Sequence, residues 1–276
     1  MTETASDSAR PWGDLPAILS HRRWWFSDWP FPHFRATDVF ASGFYSQLEH
    51  SVHELLARGL AEKPDPRRLT PMDSYDAFGW SVPTGVAGPL ALFHDQEWHD
   101  LLARLTGVAA TGDVNCSVHH HRGGGEHGRI HCDLGIGWFP GALPTGTVNP
   151  SDPAVCSYRH GVVHTPGAPV HEAVRAVTMI FYLANPPWRG GGQTGLYRAA
   201  GAPIASPAVS VPPVNNSILV FENTPRALHA FIGNTRSARN SVILWLHRPL
   251  EQARLMFGAD SLFRWPPPRQ SVRPSP

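Results

Sequence analysis

"NSILVFENTPRALHAFIGNTRSARNSVILWL", residues 216–246, reads as three short apolar runs (217–221, 227–232 and 239–247) broken by Asn, Pro and Gly. Short runs rich in β-branched and aromatic residues between turn formers predict strands joined by tight connections. Further upstream, runs of the same kind occupy 113–121, 129–134, 174–184, 193–198 and 207–211. Short strands in such number, with turns between them, predict an antiparallel sandwich or barrel. Alternating α and β units are absent, and "GGGEHG" at 123–128 lacks the strand–turn–helix context of a phosphate loop.

Helices precede this β region. Residues 37–59 predict an amphipathic helix with Thr37 as N-cap, a stripe of Phe40, Phe44, Leu48, Val52, Leu55 and Leu56, and a stop at Gly59. Residues 95–106 predict a shorter one capped by Asp95. The expected organisation is an irregular, aromatic-rich extension over 1–31, one domain over 32–258 with its β core at 112–248, and a proline-rich tail at 265–276.

Composition narrows the class. Of the 276 residues, 42% are hydrophobic and 16% charged, with a net charge of +1. That suits a globular chain and argues against nucleic acid or an anionic membrane as the main partner. Three cysteines (Cys116, Cys132, Cys156) without C-x-x-C spacing argue against a disulfide framework or a structural zinc site. A reducing cytoplasm is the expected home. The first residues lack a basic segment followed by an apolar run, and no stretch approaches the ~20 apolar residues of a membrane span.

"GRIHCDLG", residues 128–135, contains an H-x-D. With 16 histidines and 13 aspartates, about one such pair is expected by chance, so context must decide. Residues two apart on an extended strand face the same side, so His131 and Asp133 can meet one ion while Cys132 points away. Two histidines and one carboxylate on one face of iron(II) leave adjacent positions open for a cosubstrate and dioxygen. The distant histidine is expected to be His229. Ten residues later Arg239 is followed by Ser241 on the same strand face. A guanidinium and a hydroxyl there suit the far end of a dicarboxylate.

Residues 113–248 resemble the prolyl-hydroxylase-like branch of the iron(II)/2-oxoglutarate-dependent dioxygenases. The likeness is carried by "IHCD", "RAVTMIFYLANPPWRGGGQTGLY", "VPPVNNSILVFENTPRALHAF" and "RNSVILWLHR". It implies a mainly β fold, a double-stranded β-helix (a cupin-like jelly roll), with flanking N-terminal helices. It also implies Fe(II) on His131, Asp133 and His229, 2-oxoglutarate paired with Arg239 and Ser241, and O2 as oxidant. Tyr182 resembles the family tyrosine at the cosubstrate carboxylate; Thr178 and Ile180 share its face, and His121 stands where a family tyrosine is common. The chain departs from the pattern at Ala184, Thr194 and Asn216.

The implied reaction is hydroxylation of an unactivated C–H with release of succinate and CO2. Retention of Asp133 disfavours halogenation. The expected substrate is a small molecule, an amino acid or a natural-product intermediate. The alternatives are a peptidyl, prolyl-type hydroxylase and a cupin-like metal protein that does not use 2-oxoglutarate. Expected substrate contacts are Arg175, with Trp138, Phe139, Tyr158, Arg159 and His160 in or beside the long 139–172 connection. Alanine at His131 or Asp133 is expected to end turnover with the fold intact, and Cys132 to tolerate serine.

Overall fold

The protein is seen in a computed structural model that describes residues 12–73, 75–233 and 236–266. A single helical turn, α1 (Leu15–Ile18), leads into a hairpin of β1 (Trp25–Ser27) and β2 (His33–Ala36). Helix α2 (Ser42–Ala57), the short pair β3 (Thr70–Pro71) and β4 (Phe78–Ser81), and α3 (Gln96–Thr106) follow. The β region comprises β5 (Asp113–His121), β6 (Ile136–Pro140), β7 (Asn149–Pro150), β8 (Val170–Tyr182), β9 (Thr194–Tyr197), β10 (Val209–Val211), β11 (Ser217–Glu222), β12 (Leu228–Phe231) and β13 (Arg239–Pro249). Helix α4 (Leu250–Phe257) closes it.

The large sheet runs β1-β2-β11-β8-β13-β5-β4-β3, with β6 on β8 and β7 on β5; a small sheet runs β10-β9-β12. Apart from β7 on β5, every strand pair is antiparallel. The two sheets make the double-stranded β-helix. Alternation along the long strands explains why. On β8 Val177, Met179 and Phe181 pack outward with Phe44, Leu48 and Trp98 of the helices, while Ile180 and Tyr182 pack inward with Leu196 and Val211 of the small sheet. The same period divides β13, with Val242, Leu244 and Leu246 outward and Ile243 and Trp245 inward. The helices therefore seal one face of the large sheet and leave the other to form the mouth of a cavity.

Three expectations need correction. The extension over 1–31 is not irregular throughout: its β1 forms a hairpin with β2, and β2 pairs with β11, extending the large sheet. Helix α2 starts at Ser42, not at Thr37, because Asn216 captures the preceding chain. Its side chain accepts from the Phe40 N–H and donates to the Phe40 carbonyl, at 2.9 and 2.8 Å. Residues 129–134 are not a strand; only His131 makes a β-bridge there. Two departures from the family pattern share one conformation, with φ +53° at Ala184 and +57° at Asn216. Asparagine tolerates this left-handed region, whereas alanine takes it at a steric cost of ~1 kcal/mol.

Candidate metal centre and cosubstrate cavity

Fold topology brings the H-x-D loop against β12. His131 and His229 form an isolated antiparallel bridge, each backbone N–H donating to the other's carbonyl at 3.0 and 2.9 Å. Their rings sit side by side, 4.5 Å between centroids. Each Nδ1 lies near a carbonyl oxygen, Arg129 at 2.8 Å and Ala227 at 3.1 Å. A carbonyl can only accept, so each Nδ1 carries a proton and each Nε2 is the ring nitrogen turned to the site. Those nitrogens lie 3.6 and 3.7 Å from the Asp133 carboxylate oxygens. One ligand atom from each of the three residues falls within 4.8 Å of the others, close enough for one ion to touch all three. The donor set, two imidazoles and one carboxylate, suits iron(II). Burial, with His131 next, lowers the His229 pKa to about 4, so that ring stays neutral and able to ligate.

Asp133 is held by three donors. Arg175 donates to Oδ1 at 3.1 Å; Trp245 Nε1 and Thr178 Oγ1 donate to Oδ2 at 2.6 and 3.0 Å. Burial pushes this carboxyl up, but Arg175 and the two histidines outweigh it and hold the group well below the usual carboxylate range. The Thr178 hydroxyl also lies 2.8 Å from the Asn223 side-chain oxygen, while Asn223 Nδ2 is buried with no partner among the described residues. One hydroxyl proton cannot serve both, so Asn223 is best placed with its amide turned to donate to Thr178. The chain of contacts Asn223–Thr178–Asp133 then has every proton assigned.

Arg175 reaches Asp133 because of a bulge. Leu246 pairs with Val177 but His247 pairs with Arg175, so Ala176 is an extra residue on β8. It turns Arg175 to the inner face shared by Thr178, a face it would otherwise oppose. Its guanidinium lies over the Trp245 ring at 3.7 Å and donates from Nε to the Tyr158 hydroxyl at 3.0 Å. Tyr158 sits 2.8 Å from His247 Nε2, and His247 Nδ1 sits 3.0 Å from the Asp113 carbonyl. The carbonyl fixes the tautomer, so His247 donates from Nδ1, Tyr158 donates to Nε2, and the Tyr158 oxygen is left to accept from Arg175. Gly137 makes room for the Tyr158 ring, since a Cβ there would come within 2.2 Å of it. Tyr158 is thus a positioning residue for Arg175. Tyr158→Phe is expected to raise the dissociation constant for Fe(II) about ten-fold, the loss typical of an outer partner of a metal ligand. Anaerobic metal titration checks this, with circular dichroism to confirm the fold.

The other end of the inner face is set by register. Thr178, Ile180 and Tyr182 of β8 oppose Trp245, Ile243 and Ser241 of β13; Ser117, His119 and His121 of β5 oppose Ile243, Ser241 and Arg239. Two shorter side chains, Ile243 and Ser241, therefore separate the Trp245 that grips Asp133 from Arg239. Arg239 is 3% exposed and has no carboxylate partner among the described residues. It lies over the Tyr182 and Phe231 rings at 5.2 and 5.4 Å and donates to Thr194 Oγ1 at 3.3 Å. Tyr182 donates to the same Thr194 oxygen at 2.7 Å. Arg239 Nε and Ser241 Oγ are buried without a partner. A buried, unpaired guanidinium is costly unless an anion reaches it, so Arg239 fits one carboxylate of a dicarboxylate, while Ser241 and Tyr182, both expected there from the sequence, are fully buried and off the cavity wall.

A cavity of about 970 Å³ joins the two ends and exposes His131, Asp133 and His229. Thr178, Ile180, Arg175, Arg159, His160 and Arg239 line it. Of the expected substrate contacts, Trp138, Phe139 and Tyr158 are not on its wall: Phe139 is fully buried against Tyr158, His171 and His247, and Gly161 packs on Trp138. Arg175 is on the wall but engaged with Asp133. His121 lies opposite Arg239 and stacks on Phe231, 3.8 Å between centroids, away from the wall. Sequence reasoning missed Trp245, Asn223, Thr194, His119, Phe263 and Trp265. Trp245 shares the parity of Arg239 and Ser241, and Thr194 is polar where the family pattern is apolar, so both left a signal. Residues 265–276 were read as a tail, yet Trp265 and Pro266 line the cavity; 267–276 lie outside the described residues.

Comparison with known proteins agrees with this geometry. Residues 116–247 match the family model of the 2OG-Fe(II) oxygenase superfamily. A Pseudomonas putida prolyl-4-hydroxylase structure is similar with a TM-score of 0.52 at 16% identity, over 78% of this chain and 92% of that one. A Trichoplax adhaerens prolyl hydroxylase, in complex with a hypoxia inducible factor oxygen degradation domain peptide fragment, gives 0.51 at 18% identity, over 81% and 86%. No curated protein matches the sequence. The matched segment runs from Cys116 within β5 to His247 within β13, with His131, Asp133, His229 and Arg239 inside it. The match of residues 116–247 to the 2OG-Fe(II) oxygenase superfamily, with the triad and Arg239 inside it, supports an oxygenase that uses Fe(II), 2-oxoglutarate and O2, and the solved structures share its fold.

Proposed function

We propose that the protein hydroxylates an unactivated C–H of a small molecule, with His131, Asp133 and His229 holding the iron and Arg239 receiving the far carboxylate of 2-oxoglutarate. The observation that carries this reading is the pairing, within one cavity, of a three-residue ligand set with a buried guanidinium that lacks a carboxylate partner among the described residues. When bound, the metal and cosubstrate supply the oxidation, in which one oxygen atom of O2 enters succinate and the other the hydroxylated product, with loss of CO2. The chain's own residues hold and shield. Asp133, kept ionised by Arg175, Trp245 and Thr178, presents a fixed anionic ligand. The carbonyls of Arg129 and Ala227 hold both Nδ1–H groups and so turn both Nε2 atoms toward the metal site. Ile180, Ile243 and Phe231 line the space between the triad and Arg239 with apolar surface that excludes water.

The small-molecule reading is favoured by the wall contributed by Phe263 and Trp265, which flank the triad from the chain's last described residues. A peptidyl prolyl substrate is the second reading, suggested by the Trichoplax adhaerens relative with its peptide. No helix among the described residues is long and apolar enough to cross a membrane. The test is succinate release from 2-oxoglutarate under Fe(II) and air, first alone and then with libraries of small acids, amines and proline-rich peptides. Stimulation of release and a product 16 Da heavier by mass spectrometry are expected with a small molecule. Stimulation only by peptides would replace this reading with the second one.

A further inference from the structure

The end of the cavity opposite Arg239 is also cationic. From Trp245, which grips Asp133, Arg175 leads to the Trp265 ring at 5.0 Å, and Arg159 lies over the same ring at 4.9 Å. The last described residues build this platform. The Phe263 N–H donates to the Leu134 carbonyl at 3.2 Å and its carbonyl accepts from the Ile136 N–H at 3.0 Å, while Arg264 forks onto Glu172 of β8. Gly135 permits the approach, because a Cβ there would fall 2.9 Å from Phe263 and 3.0 Å from Trp265.

Arg159 is half-buried on the cavity wall, and among the described residues it makes no hydrogen bond or ion pair. Burial and the charge of Arg175 both weigh against its protonated form, while Asp73 favours it without reaching the 4.0 Å of an ion pair. Trp265 Nε1 is a second buried donor without an acceptor. The charged groups on this wall that are not already committed are Arg159, the exposed Arg129 and the exposed Asp73, a balance of one positive charge. Trp265, Phe263 and Met72 give the wall apolar surface, with His160 beside Arg159. A guanidinium fixed by stacking and lacking a partner is a natural carboxylate receptor, and the single net charge suits a monoanion better than a phosphate dianion.

We infer that the substrate is a small monocarboxylate, its carboxylate held by Arg159 on the Trp265 platform and its apolar body laid toward the triad. This rests on the proposed function and sharpens it. The test is calorimetric titration of the anaerobic protein loaded with Fe(II) and saturating 2-oxoglutarate. The probes are benzoate, 3-phenylpropionate, L-phenylalanine, L-leucine and L-proline, each against its primary amide, with phenyl phosphate alongside. At least one carboxylate is expected to bind ten-fold or more tightly than its amide. Arg159→Gln is expected to erase that preference and Trp265→Leu to reduce it, with 2-oxoglutarate affinity unchanged in both. Equal binding of acid and amide, tighter binding of phenyl phosphate, no binding by any carboxylate, or an unaltered preference in Arg159→Gln would each overturn the inference. If 2-oxoglutarate itself does not bind the wild-type protein, the proposed function fails with it. If 2-oxoglutarate binds and the acid preference is missing, only the carboxylate site fails.

Discussion

His131→Ala is expected to abolish iron binding at little cost in stability, whereas Asp133→Ala is expected to abolish it and also to destabilise the fold by about 3–5 kcal/mol. The two ligands differ in what they leave behind. The His131 side chain is 41% exposed, and its hydrogen bond is a donation to the Arg129 carbonyl. Its removal strands no buried group. Asp133 is 4% exposed and accepts from Arg175, Trp245 and Thr178, so its removal leaves a buried guanidinium and two buried donors unpaired. From the structure, an intact fold is therefore expected for His131→Ala and a weakened one for Asp133→Ala, where the sequence alone predicts that both stay folded. Paired measurements decide the matter: Fe(II) titration for each variant, and urea unfolding of the metal-free proteins. Equal unfolding midpoints for the two variants would show that the Arg175–Asp133 pair contributes nothing to stability. Retention of tight Fe(II) binding in His131→Ala would remove His131 from the ligand set.

What the sequence made legible was whatever obeys a period. Inward Thr178, Ile180 and Tyr182, and inward Arg239, Ser241, Ile243 and Trp245, follow from alternation alone once β8 and β13 are recognised as strands. Arg175 did not follow, because the extra Ala176 breaks the alternation, and a bulge has no signature in a run as uniformly apolar as "AVRAVTMIFY". The connection over 139–172 was suspected for its length, but length does not say which side chains face the cavity. Phe139 and Tyr158 turned inward to pack on His171 and His247, and their neighbours Arg159 and His160 face the cavity. The chain's last described residues were misread for a compositional reason. Proline blocks repeating backbone pairing, yet Phe263 needs only one bridge to Gly135 to carry Trp265 into the wall. The hairpin at β1 and β2 escaped because its strands are three and four residues long and expose Trp25 and Phe26 at 59% each, so no alternation is visible.

Arg239→Met is expected to abolish measurable 2-oxoglutarate binding while leaving the metal-free protein as stable as before or more so. Both halves come from one fact, that the guanidinium is 3% exposed with no carboxylate within ion-pairing reach among the described residues. Losing one partner of a buried charge pair costs about 2–5 kcal/mol, which for the cosubstrate is at least ~30-fold in dissociation constant. Without the cosubstrate the sign reverses. The charge pays desolvation against the Thr194 hydroxyl and the rings of Tyr182 and Phe231, with no carboxylate among the described residues, so a thioether of similar length removes a cost and keeps the packing. Methionine rather than alanine is the right probe, since it leaves no cavity beside Tyr182 to confuse the stability reading. Iron affinity should be unchanged, because Ile243 and Ser241 stand between Arg239 and the Trp245 that holds Asp133. Thermal unfolding with and without 2-oxoglutarate measures both halves at once. The wild-type protein should gain several degrees on adding the cosubstrate and the variant none. A variant that melts well below wild type without cosubstrate would mean that Arg239 is a structural residue, and the reading of this end of the cavity as a carboxylate site would fall with it.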